Sequence, residues 1–277
     1  MKRAIIAILM LVLSGFPLFE AFGAEHSADS KESGNTYVLI VGGINMDSKE
    51  RSAKDRAVTD LRRFFIDIAG VIPEKLDVLV DSKSTARKGS GISTAVNLKE
   101  QMDRLAASVN PEDRFIFYYT GQANVVSDTL RLNLPGPDIT HTQLAELINS
   151  IKASSMLIVL DCPGAGLAVN AVSGQGRIVI GACTAEQHYS TKFSEYFVPA
   201  LVDEDSDTNG NGRISLLEAF TSACRAVDDF YRLGSLLTTE TPVLEDNADG
   251  IASRQPWKYE QDRMDGLAAS RFFLSGR

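Results

Sequence analysis

FIFYYTGQA, residues Phe115 to Ala123, and LIVLDCPGAG, residues Leu157 to Gly166, are two apolar runs that each end in a turn of small residues. Runs so rich in Val, Ile, Leu and aromatic residues are typical of strands buried on both faces of a parallel sheet. Open α/β sheets bind their ligands at the carboxyl ends of such strands. The two turns therefore indicate where the functional site of this protein lies.

Strand-like and helix-like segments alternate around these runs. Strands are predicted over residues 37–44, 75–81, 114–120, 156–161 and 177–183, and helices over 52–69, around Leu98 to Leu105, and over 142–151, 193–202 and 216–227. This alternation predicts an α/β fold in which helices cover both faces of a mostly parallel sheet. The periodicity weakens after Gly234, so we expect residues 235–277 to form a C-terminal appendage.

The N-terminal segment has the three parts of a secretory signal peptide. Lys2 and Arg3 are positively charged, residues 4–13 are apolar, and Ala21-Phe22-Gly23 supplies small residues for cleavage. We expect a signal peptide over residues 1–23, a flexible leader over 24–36, and an exported protein that is periplasmic or secreted. The alternative is a membrane anchor, but the apolar run is short for a spanning helix, so no membrane span is expected after cleavage.

Charge and cysteine content narrow the class of protein. The formal net charge of −8 argues against nucleic-acid binding, which needs a positive surface.

If the runs that end in Cys162 and Cys183 form neighbouring parallel strands, the two thiols occupy matching positions that a disulfide could join. Three buried thiols, with Cys224 as the third, are the alternative.

The two turns resemble the catalytic turns of the caspase and legumain-type cysteine peptidases. In that family, Ser/Thr-Gly-His-Gly supplies the histidine and Asp-x-Cys-x-Ser/Ala-Gly supplies the nucleophile. Segments 133–148, 176–201 and 239–250 are similar, in the same order, to segments of bacterial members. The resemblance covers about residues 37–249 and implies a caspase-like three-layer sandwich over residues 37–234.

The chain departs from this family at both catalytic positions. Gln122 stands at the histidine position, and its amide does not titrate near neutral pH. Pro163 stands at the cysteine position and has neither a nucleophile nor the N–H that would form part of the oxyanion hole. The expected cleft keeps a frame that comprises Gly121, Asp161, Gly164 and Gly166. We expect a pseudo-peptidase that binds a peptide or protein partner without hydrolysing it.

Two alternative functions stay open. The chain could be an active cysteine endopeptidase that uses Cys162 in a rearranged site, with His188 in the loop lining the family's cleft as its base. Against this, a one-residue offset turns the Cys162 side chain to the opposite face of the strand, and Pro163 constrains its backbone. The other alternative is a calcium-dependent structural protein with a vestigial cleft.

DTNGNGRISLLE, residues Asp207 to Glu218, matches the calcium loop of an EF-hand. Gly212 permits the sharp turn, and helical patterns flank the loop, so we expect an EF-hand-like helix-loop-helix that binds calcium as a cofactor. The expected ligands are Asp207, Asn209, Asn211, the carbonyl of Arg213, Ser215 and Glu218. EDNADG, residues 245–250, is half of a similar loop, and we consider a second ion, or help to the first, from Glu245, Asn247 and Asp249.

Overall fold

The computed structural model describes residues 34–45, 47–82, 90–259 and 264–275. The predicted signal peptide and most of the predicted leader lie outside these residues. In chain order the strands and α-helices of the described residues are β1 (Thr36–Gly42), α1 (Ser48–Arg63), β2 (Leu76–Val80), β3 (Gly91–Ile92), α2 (Ala95–Ser108), β4 (Arg114–Thr120), β5 (Ala123–Val126), β6 (Thr129–Leu132), β7 (Ile139–Thr140), α3 (His141–Asn149), β8 (Ser155–Asp161), α4 (Val169–Val172), β9 (Arg177–Gly181), α5 (Phe193–Ala200), α6 (Leu216–Leu233), β10 (Val243–Glu245) and α7 (Leu267–Ser270). None of these helices is both long enough and apolar enough to cross a lipid bilayer.

The main sheet has seven strands in the order β10-β9-β8-β4-β1-β2-β3. All neighbouring strands are parallel except β10, which runs antiparallel to β9. The predicted mostly parallel sheet is therefore confirmed. A second sheet, which the sequence analysis missed, consists of the short antiparallel strands β5, β6 and β7.

Alternating side chains of the strands form two hydrophobic cores. In β1, Leu39 and Val41 face a core that includes residues of α2 and α3, whereas Val38 and Ile40 face a core that includes residues of α1, α5 and α6. All four side chains are fully buried, and removal of their apolar surface from water favours the layered arrangement. The α/β architecture with helices on both faces of the sheet is confirmed.

Helix α1 brings polar groups to the carboxyl edge of the sheet. Asp47 caps the helix by accepting hydrogen bonds from the backbone N–H groups of Lys49 and Glu50. One turn later, Lys54 lies on the same buried stripe as Ala57, Val58 and Leu61. A lysine on the core-facing side of a helix needs a buried acceptor, and the sheet edge supplies it.

The region after Gly234 is not an appendage. Strand β10 lies in the main sheet and pairs Val243 with Gly181 of β9. Downstream of α7, the backbone N–H of Leu216 donates to the carbonyl of Phe272, which joins the C-terminal segment to the start of α6. The expected boundary at residue 235 is therefore wrong, because pairing with distant segments fixes this region where local periodicity is weak.

Candidate functional site

The two turns that the sequence singles out lie side by side. Strands β4 and β8 are neighbours, and their last residues, Thr120 and Asp161, are paired in register. The backbone N–H of Gly121 then donates to the carbonyl of Asp161 at 3.1 Å. Gln122 and Pro163 therefore follow adjacent strand ends, where an α/β sheet places its ligands.

Asp161 is fully buried at this edge, where it accepts hydrogen bonds from every side. Its Oδ2 accepts from Lys54 Nζ at 2.6 Å, from Thr120 Oγ1 at 2.9 Å and from Ser194 Oγ, and its Oδ1 accepts from Thr191 Oγ1 at 2.5 Å. Burial alone would raise the pKa of Asp161, but the Lys54 charge and the hydrogen bonds hold it below its ordinary value. We call these five residues the Asp161 cluster.

The side chains of the Asp161 cluster are almost completely buried. Lys54, Thr191 and Ser194 are 6%, 4% and 2% exposed. Because Lys54 is paired with a carboxylate, it is not available as a free base. Beneath the cluster, the hydroxyl of Tyr118 is 2.7 Å from Ser194 Oγ, and burial raises the pKa of this phenol well above its usual value. The arrangement fits a structural connection between β4, β8, α1 and α5.

Gln122, at the position of the family's histidine, forms a bridge between two segments. Its side-chain Nε2 donates to Glu50 Oε2 and to Ser190 Oγ, both at 2.8 Å. Its backbone is also fixed, because its N–H donates to the carbonyl of Ile44 and its carbonyl accepts from the N–H of Asn133. The amide therefore connects the first turn of α1 with the loop that precedes α5.

A polar cleft adjoins this bridge. It encloses about 300 Å³ between the start of α1 and residues 190–195. Its lining residues, which define what we call the α1 cleft, include Glu50, Lys54, Ser190, Thr191, Lys192 and Glu195. Basic and acidic side chains are mixed around it, so the cleft offers donors and acceptors without a single dominant charge.

The three glycines of the expected cleft frame permit close packing of the chain. A Cβ on Gly121 would lie 2.7 Å from the Cα of Gly43, and one on Gly166 would lie 2.7 Å from the backbone N of Ala185. Gly164 adopts a left-handed φ of +68°, and a Cβ there would lie 2.7 Å from Val125 Cγ2. Pro163 is buried beside it. The lack of a side chain at these glycines permits close packing, and their place in a ligand cleft stays a prediction.

Cys162 and His188 do not form a rearranged catalytic pair. Cys162 is fully buried in the core on the α2 and α3 side, and burial raises the pKa of its thiol well above its usual value. His188 is exposed, and its Nε2 lies 2.8 Å from the carbonyl of Ala185. Among the described residues no hydrogen bond joins the two side chains. Because Cys162 is buried, the structure gives the alternative peptidase site no accessible nucleophile at this residue.

All three cysteines are free thiols in the structure, so the Cys162–Cys183 disulfide is not formed. The strands that precede Cys162 and Cys183 are parallel neighbours, as the sequence analysis assumed. The thiol of Cys183, however, donates to the backbone carbonyls of Cys162 at 3.3 Å and Gln187 at 3.2 Å. Burial raises the pKa of Cys183 to about 12.

The predicted calcium loop is compact, and its side-chain oxygens point inward. The Asp207 carboxylate accepts from the backbone N–H groups of Asn211 at 3.1 Å and Gly212 at 2.7 Å. Asn209 Oδ1 accepts from the same N–H of Asn211 at 3.1 Å. Two predicted ligand oxygens therefore lie close together, and the left-handed φ of +79° at Gly212 permits the turn.

The last predicted ligand, Glu218, is held at the start of α6. It forms a capping box with Ser215, and its Oε1 accepts from Asn209 Nδ2 at 2.8 Å. No three His, Cys, Asp or Glu side chains within the described residues form a group that could hold a metal ion. A cation here would depend on the two carboxylates of the loop together with amide and carbonyl oxygens, and calcium accepts such a mixture. Calcium binding by this loop stays a prediction.

The second predicted half-loop has a different geometry. Glu245 is fully buried, and neither of its carboxylate oxygens has a hydrogen-bond partner. Asn247 Oδ1 accepts from the N–H of Asp249 at 2.8 Å, within a turn. Asp246, which the sequence analysis did not single out, accepts from the N–H groups of Gly266 and Ala269 at the start of α7. The second calcium site stays a prediction.

Glu240 is a buried acid that the sequence analysis missed. Its Oε2 accepts from the N–H of Lys192, at the start of α5, at 2.8 Å, while its Oε1 has no hydrogen-bond partner. Burial, and then the charge of Asp161, raise the pKa of Glu240 to about 8. The surrounding sequence TTETP lacks periodicity, so only contacts between distant segments identify this residue.

Comparison with protein-family models and with curated protein sequences gave no match. The resemblance to caspase and legumain-type peptidases therefore rests on the residues of the two turns and on the order of the segments around them.

The Lys54–Asp161 ion pair yields a prediction about stability. Replacement of Lys54 by Met leaves Asp161 buried without its cation, and we expect the free energy of unfolding to fall by about 3–5 kcal/mol. Urea denaturation measures this value. Lys99→Met, which breaks an exposed ion pair with Asp103, is the control and should cost less than about 1 kcal/mol. Equal effects of the two substitutions would refute the structural role of the Asp161 cluster.

Glu240 yields a prediction about pH. Its pKa is about 8 in the folded protein against an ordinary value of 4.5, so the folded state binds this proton more tightly. The resulting stabilisation is complete below pH 4.5 and is lost as the pH rises through 8. Relative to Glu240→Gln, the wild-type unfolding free energy should fall by up to about 1.4 kcal/mol per pH unit across that window.

Denaturation at several pH values measures this difference. Glu146→Gln, at an exposed position of α3, reports the background effect of the same substitution. If the stability of the wild type and of Glu240→Gln depends on pH in parallel, the interpretation of Glu240 is wrong.

Proposed function

We propose that this chain is an exported, calcium-binding pseudo-peptidase of the caspase and legumain type. It holds a peptide or protein partner in the α1 cleft and does not hydrolyse it. The observation that carries this proposal is the bridge from Gln122 to Glu50 and Ser190, which occupies the histidine position beside the cleft.

The α1 cleft has the chemistry to bind an extended peptide. A peptide backbone presents alternating donors and acceptors, and the cleft offers carboxylates from Glu50 and Glu195, a hydroxyl from Ser190 and an ammonium group from Lys192. Because acidic and basic side chains are both present, the favoured partner is a polar segment without strong net charge. Calcium in the loop at residues 207–218 would stabilise the segment between α5 and α6.

Absence of hydrolysis follows from the residues at the strand ends. Cysteine-peptidase chemistry needs a thiolate and an imidazole, and Gln122 and Pro163 provide neither. Asp161, which would lie near a substrate in an intact site, is already neutralised by Lys54. A second candidate function is that of a calcium-dependent structural protein, and the complete hydrogen bonding of the Asp161 cluster favours it.

Selection from a random peptide library tests the proposed binding. We expect wild-type protein to retain peptides, and Gln122→Ala to bind them about tenfold more weakly, because a hydrogen bond to a charged group that organises the cleft is lost. Gln175→Ala, at an exposed turn, is the control and should bind normally. Mass spectrometry should recover the bound peptides intact.

Two results would contradict this function. Cleaved peptides in the wild type would indicate an enzyme. Retention of no peptide, or equal retention by Gln122→Ala, would favour the structural protein.

Calorimetry tests the calcium loop separately. Glu218→Gln preserves the capping box with Ser215 but removes a carboxylate, so we expect at least about a tenfold loss of calcium affinity with little loss of fold. Calcium should raise the melting temperature of the wild type and have little effect on this variant. Glu204→Gln, in the exposed turn just before the loop, is the control. Unchanged affinity in Glu218→Gln would show that the loop is not the calcium site.

A further inference from the structure

A second cavity adjoins α6. It encloses about 390 Å³ between α6 and the segment from residue 238 to 257. Its walls include the apolar side chains of Val227, Pro242 and Trp257, and its rim includes Arg225, Asp228 and Arg254. We call it the α6 pocket. None of its lining residues belongs to the α1 cleft.

Glu240 forms a buried polar wall of the α6 pocket. Only 1% of this residue is exposed, and its Oε1 has no hydrogen-bond partner although its Oε2 accepts from the N–H of Lys192. Burial and the Asp161 charge raise the pKa of Glu240 to about 8, so this carboxyl is mostly protonated at neutral pH. An unsatisfied buried polar atom is costly, and a ligand group that completes its hydrogen bonding would remove that cost.

The rim of the α6 pocket is locally positive in an acidic chain. Arg225 and Arg254 are exposed, and neither takes part in an ion pair of the described residues. When Glu240 is protonated it carries no charge, and Asp228 is then the acidic group that faces the two arginines. The lining therefore carries a net positive charge. The carboxylate of Glu186 offsets part of this positive charge. A hydrogen bond from Thr184 and, to a smaller extent, the Arg254 charge lower the pKa of Glu186 and so favour its ionised form.

We propose that the α6 pocket binds the carboxylate of an apolar organic acid, such as the free C-terminal residue of a peptide. Arg225 and Arg254 hold the carboxylate, because arginine pairs with carboxylates through charge-assisted hydrogen bonds. Trp257 and Val227 contact the apolar body of the ligand, and Glu240 bonds a polar group at its inner end. The volume of the pocket suits a ligand of one or two residues.

Calorimetry with N-acetyl-Gly-Phe tests this proposal. The free acid should bind at least about tenfold more tightly than the same dipeptide with an amidated C-terminus, because the amide cannot form the charged hydrogen bonds. Arg225→Ala and Arg254→Ala should each weaken binding of the acid about tenfold. Arg232→Ala, which removes an exposed arginine of α6 outside the pocket, should leave binding unchanged.

A second probe, 3-phenylpropionate, distinguishes the two sources of the carboxylate. Equal binding of both acids would overturn the contact with Glu240 and leave a small organic acid held by the arginines, whereas preference for the dipeptide supports a peptide C-terminus. Failure of the free acid to bind at millimolar concentration overturns the proposal, as does equal binding of acid and amide or the absence of any effect of both pocket arginine substitutions. None of these results depends on Gln122 or on the α1 cleft.

Discussion

The buried ion pair between Lys54 and Asp161 is the constraint on which the carboxyl edge of the sheet depends. An ionised carboxylate with no exposed surface is stable only when a cation and hydrogen-bond donors surround it. Lys54 can supply the cation only if α1 lies against the sheet in one position. That position also places Glu50 within reach of Gln122 and fixes one wall of the α1 cleft.

This constraint explains how the walls of the α1 cleft keep their positions. Hydrogen bonds of the Asp161 cluster connect α1, β4, β8 and α5. The side chain of Gln122 connects α1 to the loop before α5. Glu240 adds a connection to the start of α5, because its carboxylate accepts a hydrogen bond from the backbone N–H of Lys192. Hydrogen bonds thus fix the relative positions of α1, the strand ends and the loop before α5. A binding site at this edge of the sheet needs such fixed walls.

The sequence predicts those features of the fold that depend on local pattern. Apolar periodicity identifies the parallel strands and their covering helices, and the turns after β4 and β8 lie together at one edge of the sheet, as predicted. Prediction from the sequence fails where contacts between distant segments determine the role of a residue or the position of a strand. Lys54 looks like an ordinary charged residue in a helix, Glu240 lies in an irregular segment, and β10 is only three residues long. The packing role of the glycines in the turns is not visible in the sequence, because a glycine serves equally for ligand space and for close backbone packing.

Alkylation of the native protein tests whether the strand ends form a buried structural cluster beside an inaccessible Cys162. Iodoacetamide is added at neutral pH, and modification of each cysteine is followed by mass spectrometry. We predict that Cys162 reacts only after unfolding, because its thiol is fully buried and its pKa is raised. Rapid modification of Cys162 in the folded protein would show that its thiol is accessible, and would restore this residue as a candidate nucleophile.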